Sequence, residues 1–422
     1  MAPLDNRLNR KFSVVGTRPL RPDGIEKVTG KALYGADLFL PNMLIGKMLR
    51  INCAHASIKS INVTEAEKLP GVKSIITFKD FEEVKANLSN DILENCIANR
   101  KVLYDGHAVA AVAAVNSKVA DEALKLIKVE LEPLPFVIDV DKAMEKSAPI
   151  VQEGKRYENV PENFSDNVSS FCSFGHGNLE EGFKAANKII ERNFKTPSVH
   201  QGYIEPHACV ASMGNDGRAD LWCCTQGHYY VREVCAAIMG IETSKLRVIA
   251  SEIGGGFGGK TTVFIEPIAL SLSLKAGQPV KIVMSREEVF KATGPTVSSS
   301  VDIKIGMSNN GKITAAEAVL RYEGGAFPNT IHELGAQSAF AAYDLKAVKT
   351  EAFNVLTNRP AQAAYRAPGA PQALFAVESV IDELCESFNF DPLEIRILNS
   401  AQKGTISSYG PTFEDIGLRA TL

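Results

Sequence analysis

The stretch SEIGGGFGGKTTVF, Ser251–Phe264, decides how the rest of the chain is read. Five glycines surround Phe257, and Gly254, Gly259, Lys260 and Thr261 fall in the register of the phosphate-binding pattern G-x-x-x-x-G-K-[ST]. A strand pattern, KLRVIAS (Lys245–Ser251), leads into the loop and an apolar segment follows it. A nucleotide triphosphate site needs that context. Three features oppose this reading. Pro267 falls inside the helix that would have to follow, where it breaks the hydrogen-bond ladder. No apolar run ending in a magnesium-holding Asp comes later, because VIDEL (Val380–Leu384) sits on an amphipathic pattern. The glycines are also denser than a phosphate cradle requires. Two alternatives stay open: a bare tight turn with positive φ angles, or a backbone ribbon whose N–H groups approach a bulky, rigid anion.

Composition bounds the choice. The 422 residues are 45% hydrophobic and 23% charged, with a net charge of −3. This is enough chain for two or more domains, and no basic block suggests nucleic-acid binding. No apolar window is long enough for a membrane span. The N-terminal MAPLDNRLNRKF has no apolar signal core, which implies a cytoplasmic protein. The eight cysteines contain no C-x-x-C and read as small buried hydrophobes, so no iron–sulfur or zinc site is expected in this chain. His200 and His207 read as structural.

Along the chain, residues 1–150 alternate strand and helix patterns: Ile45–Ile51, Val72–Phe78 and the continuous apolar run Val109–Val115 as strands, then Ser117–Ile127 as a helix capped by Ser117. Residues 151–177, rich in Pro, Asn, Ser and charge, read as a linker. A second unit, 178–422, brings strands at Lys188–Pro197 and Ala219–Gly227, a helix at Tyr229–Ile241, and a long helix from Pro371 to Asn389. The apolar stripe of that last helix, Leu374, Val377, Ile381, Leu384 and Phe388, reads as core packing. The fold class is α+β.

Several segments together carry a resemblance. GGGFGGK is preceded by TQG (Thr225–Gly227) and followed by AYRAPGAPQ (Ala364–Gln372), and YIEPHACVA (Tyr203–Ala211) comes before both. In this order they resemble the molybdenum-cofactor subunit of the xanthine oxidase family of molybdenum hydroxylases. Lys27–Arg50, Ala54–Ile58 and Val102–Ala114 are similar to the α/β hammerhead domain that opens such subunits. The resemblance implies a hammerhead domain followed by the first half of the cofactor-binding α+β domain.

It also implies roles. Gln226 would hydrogen-bond near the apical molybdenum ligand, Phe257 and Gly258 would turn backbone amides toward the metal, and Gly255, Gly256 and Gly259 would let the main chain approach. Arg366 would reach the pterin and metal surroundings, and Lys260 would pair with a neighbouring carboxylate. The substrate pocket would include Thr261, Leu334 and Pro368, where purine-oxidising relatives carry an acid, an arginine and a stacking phenylalanine. That set disfavours a purine, and Ala367 stands where the carbon monoxide dehydrogenase branch has a copper-binding Cys. The base glutamate and most dinucleotide contacts lie in the half of the domain beyond this sequence, as in the split subunits of nicotinate dehydrogenase, so no catalytic residue is expected here. Implied cofactors are molybdenum-molybdopterin in its cytosine dinucleotide form, with 2Fe-2S and FAD on partner subunits. Implied partners are those two subunits, a second molybdopterin subunit, and a small N-heteroaromatic substrate, nicotinate-like before purine-like.

Overall fold

The computed structural model describes residues 12–81, 87–155, 157, 160 and 162–422. Most of the N-terminal stretch read above for a signal core lies outside them. In chain order the strands are β1 (Leu44–Ile51), β2 (Ala56–Asn62), β3 (Val72–Thr77), β4 (Lys101–Val102), β5 (His107–Ala114), β6 (Lys128–Pro133), β7 (Val168–His176) and β8 (Lys188–Thr196). They continue as β9 (Ala208–Met213), β10 (Ala219–Cys223), β11 (Leu246–Ala250), β12 (Val280–Val283), β13 (Ser299–Met307), β14 (Ile313–Gly325) and β15 (Val348–Leu356).

Three sheets result, ordered β11-β10-β9-β12-β1-β5-β3, β7-β15-β14-β13-β8 and β4-β2-β6. The first crosses the boundary drawn at residue 150. β1 pairs in parallel with β12, Leu44 opposite Val280, so the two sequence units share one continuous sheet. Main-chain pairing of this kind requires the two units to be built against each other.

β5 is the most buried strand, with all eight residues inside. Its alternate faces serve different layers. Ala110 and Val112 pack with Ala123 and Ile127 beside the helix Ser117–Leu126, while Ala111 and Ala113 join the cluster holding Ile268 and Leu272. A strand covered on both faces carries no polar alternation, which is why VAAVAA is continuous. The cap of the helix Ser117–Leu126 is Asn116 rather than Ser117, since Asn116 Oδ1 accepts the Val119 N–H at 2.9 Å.

The segment read as linker contributes β7, an edge strand antiparallel to β15. An edge strand can carry the polar VSSFCSFGH pattern because one side meets solvent. The helix Ala370–Phe388 covers this second sheet, with Val377, Ile381 and Leu384 packed among Val301, Ile303 and Leu320. Pro371 lies in its first turn, where the missing N–H is harmless. Pro267 is placed the same way: the helix after the glycine loop begins only at Glu266, so the proline opens it instead of breaking it.

Candidate functional site

β10 and β11 run parallel, Ala219 opposite Leu246 and Cys223 opposite Ala250. Their carboxyl ends therefore deliver Thr225–Gly227 and the glycine loop side by side. Crevices at such ends are where open sheets of this kind receive ligands.

The two segments are sewn together. The Lys260 carbonyl accepts from the Gln226 N–H at 2.8 Å and from Thr225 Oγ1 at 3.1 Å. Gln226 Oε1 in turn accepts from the Gly258 N–H at 2.9 Å and the Lys260 N–H at 3.3 Å. Gln226 is exposed, and with its oxygen clamped by these two amides its NH2 group stays available as a donor. The Gly258 amide is thus committed to Gln226, which changes the role expected of it.

A third strand of chain completes the arrangement. The Arg366 N–H donates to the Phe257 carbonyl at 2.9 Å, and Gln201 Nε2 donates to the Ala364 carbonyl at 2.9 Å. Phe257, Arg366 and Ala367 have φ of 52°, 31° and 70°, a left-handed conformation that ordinary residues hold only under external constraint. Phe257 is half exposed. Arg366 is exposed and joins no ion pair among the described residues.

The glycines answer to this chain's own atoms. A Cβ on Gly256 would stand 2.5 Å from Gln226 Oε1, one on Gly258 2.7 Å from the Ala364 carbonyl oxygen, and one on Gly259 2.9 Å from Gln201 Cδ. Gly255, at φ +98°, would touch Tyr203. The sequence leads one to expect room for a cofactor, but each glycine first makes room for the loop's supports.

Beneath the loop lies a buried ion pair. Lys260 Nζ is 2.6 Å from Glu205 Oε2, with the lysine side chain fully buried and the carboxylate nearly so. Glu205 Oε2 also accepts the Gly254 N–H at 2.8 Å, and Oε1 accepts the Gly35 N–H at 3.3 Å. One carboxylate therefore ties both ends of the loop to the N-terminal unit. A lysine so enclosed cannot reach a phosphate, which removes the nucleotide triphosphate reading. Glu205 stands in the quoted YIEPHACVA, but nothing in the sequence marks it as the partner of Lys260.

Lys260 Nζ also lies 4.9 Å from the Tyr203 ring, and His207 Nε2 bonds the Tyr203 hydroxyl at 2.8 Å. Burial, then the Lys260 charge, hold His207 at about 3, well below its ordinary 6.5. The unfolded chain thus binds a proton here between pH 6.5 and about 3 that the folded chain refuses. Stability is full above pH 6.5 and falls with pH through that window. His207→Gln is expected to remove one proton from this slope, at most ~1.4 kcal/mol per pH unit. Urea unfolding at several acidic pH values checks it, and an unchanged slope refutes the assignment.

Beside the loop opens a cavity of about 880 Å³, walled by Phe264, Phe327, Ile331 and Ala361 and edged by Gly227 and Thr261. Of the three residues expected in the substrate pocket, Thr261 lines it, while Leu334 and Pro368 do not. Leu334 points half exposed from the helix Ile331–Ala339. The same wall contains Ser170, from the segment read as linker, 3.0 Å from His332 Nε2. Nothing local in the sequence could have joined two residues so far apart.

Residues 157–400 match the model of the molybdopterin cofactor-binding domain, more than half of the chain. The chain is a molybdopterin-binding subunit of the xanthine oxidase family. Residues 29–135 match the a/b hammerhead domain of aldehyde oxidase and xanthine dehydrogenase. A probable xanthine dehydrogenase component of Bacillus subtilis is 32% identical over 385 residues, 90% of this chain and 50% of that protein. The nicotinate dehydrogenase large molybdopterin subunit of Eubacterium barkeri is 28% identical over 428 residues, 98% of this chain and 96% of that one. The aldehyde oxidoreductase of Desulfovibrio gigas superposes with a TM-score of 0.86 at 27% identity, over 95% of this chain and 45% of its own. The chain therefore spans about half the length of several relatives. Among the described residues no helix is long and apolar enough to cross a membrane.

Proposed function

We propose that this molybdopterin-binding subunit forms one wall of the cofactor cleft and part of the substrate pocket in an oxidoreductase that hydroxylates an electron-poor carbon. The observation that carries the reading is the clamped Gln226, its Oε1 held by the Gly258 and Lys260 amides beside exposed Phe257 and Arg366. These residues fit an anionic pterin bearing a metal: an available amide donor, a guanidinium in no ion pair among the described residues, and a flat ring at the loop apex. Gln226 and Arg366 would hold the group, and Phe257 would lie against it. When bound, the molybdenum centre supplies the two-electron oxidation.

This chain's own residues orient and enclose. Gln226 is held through its Oε1, Arg366 offers a fork of donors, and Phe264 and Phe327 give the cavity apolar surface. The proton-abstracting glutamate is assigned to a second molybdopterin subunit. That assignment is supported by the similarity to the nicotinate dehydrogenase large molybdopterin subunit of Eubacterium barkeri. Electrons are assigned to 2Fe-2S and FAD subunits, the cofactor to its cytosine dinucleotide form, and the complex to the cytoplasm, in keeping with eight uncrosslinked cysteines.

The substrate class is an N-heteroaromatic such as nicotinate. A purine is the second reading, favoured by the similarity to the Bacillus subtilis protein and opposed by Thr261, which brings a hydroxyl and no carboxylate to the cavity. Metal and pterin analysis of the purified complex tests the proposal. Arg366→Ala is expected to lower molybdenum occupancy by roughly tenfold, as the loss of a charged bidentate anion contact does. Unchanged occupancy removes Arg366 from the cofactor site.

A further inference from the structure

Among the polar residues of the cavity beside the loop is one whose hydrogen bond the cofactor reading does not use. Ser170, half buried on edge strand β7, lines the cavity and places its Oγ 3.0 Å from His332 Nε2. His332 is completely buried in the first turn of the helix Ile331–Ala339. Its Nδ1 has no hydrogen-bond partner among the described residues. Burial holds the ring down at about 4, so it is neutral near pH 7.

A neutral imidazole carries one N–H. Placed on Nδ1, it would be a buried donor with nothing to bond, and orphaned buried N–H groups are rarer than under-satisfied acceptors. Placed on Nε2, it donates to Ser170 Oγ. That tautomer has two consequences. The ring cannot take the serine proton, and no carboxylate among the described residues backs Nδ1, so the pair is not an activated nucleophile. The serine hydroxyl proton is also left unclaimed by the histidine, in a lining that includes Phe264, Phe327 and Ile331.

We propose that Ser170, oriented by His332, is a specificity-determining hydrogen-bond donor that selects flat aromatic ligands carrying an acceptor atom, a ring nitrogen or carbonyl oxygen, at this wall. The proposal rests on the reading of the cavity as the substrate pocket. A directed donor beside apolar side chains discriminates, because an acceptor that leaves water must find it and a ligand without an acceptor leaves it unpaired.

The test uses the purified native complex and equilibrium dialysis with quinoline and naphthalene, which differ by one ring nitrogen. Wild type is expected to bind quinoline the tighter by roughly five- to tenfold, the size of one well-directed hydrogen bond. Ser170→Ala should abolish that preference, and Ser170→Thr, which keeps the hydroxyl, should retain it. Equal affinities in wild type, or a preference that survives in Ser170→Ala, overturns the assignment. Failure of quinoline to bind at all overturns it too. Binding is read without turnover, so a complex that lacks molybdenum refutes the proposed function while the dialysis result still judges Ser170.

Discussion

Lys260→Met is expected to destabilise the protein by about 3–5 kcal/mol, the range for stripping one partner from a buried ion pair. The substitution keeps the volume and removes the charge. Glu205 would then remain as a buried carboxylate with only the Gly254 and Gly35 N–H groups to answer it. The double variant Lys260→Met/Glu205→Gln should recover most of the loss, because it removes both charges while the amide oxygen still accepts from Gly254. Urea unfolding of the wild type, Lys260→Met, Glu205→Gln and the double variant measures this cycle. If the single variant loses less than about 1 kcal/mol, the pair behaves as a solvated surface bridge and the account of the loop's anchoring is wrong.

The second large effect is expected at Gly258. Its φ is +99°, and a Cβ there would lie 2.7 Å from the Ala364 carbonyl oxygen and 2.9 Å from its Cβ. Gly258→Val combines left-handed strain in a β-branched residue with a backbone clash, together about 2–5 kcal/mol. Space for the cofactor is not the first thing lost. The segment Ala364–Arg366 is pushed off the loop, which breaks the Arg366-to-Phe257 hydrogen bond and releases Arg366 from the cleft. Both thermal stability and molybdenum content should fall together. Gly277→Ala is the control: it has φ +65° with nothing within 4 Å, so it should show about 1–2 kcal/mol of backbone strain and normal metal loading. A Gly258→Val protein with wild-type melting and full molybdenum would contradict this geometry.

Much of the local structure is legible in the sequence. The run Val109–Val115 reads as a fully buried strand, and β5 spans His107–Ala114 with both faces covered. The long helix reads over Pro371–Asn389 and runs Ala370–Phe388. Both are written in short-range periodicity, which needs no knowledge of partners. The edge strand β7 escapes such a reading because its polar alternation resembles a linker until β15 lies beside it. The helix cap falls one residue earlier than expected because Asn116 and Ser117 are both good caps, and only the turn geometry chooses between them.

The site divides in the same way. Its residue types and their order, TQG, then GGGFGGK, then AYRAPGAPQ, are properties of the sequence, and they carry the family and the choice of Gln226, Phe257 and Arg366 as candidates. Their purpose is decided by tertiary structure. Parallel pairing of β10 with β11 brings the first two segments together, and only contact with Ala364, Gln201 and Gln226 explains which glycine excludes which side chain. The Glu205–Lys260 pair, 55 residues apart, and the Ser170–His332 pair, 162 apart, follow no spacing rule. A sequence records what each residue can donate, accept or fill, whereas distance between remote residues is set by how sheets and helices close over one another.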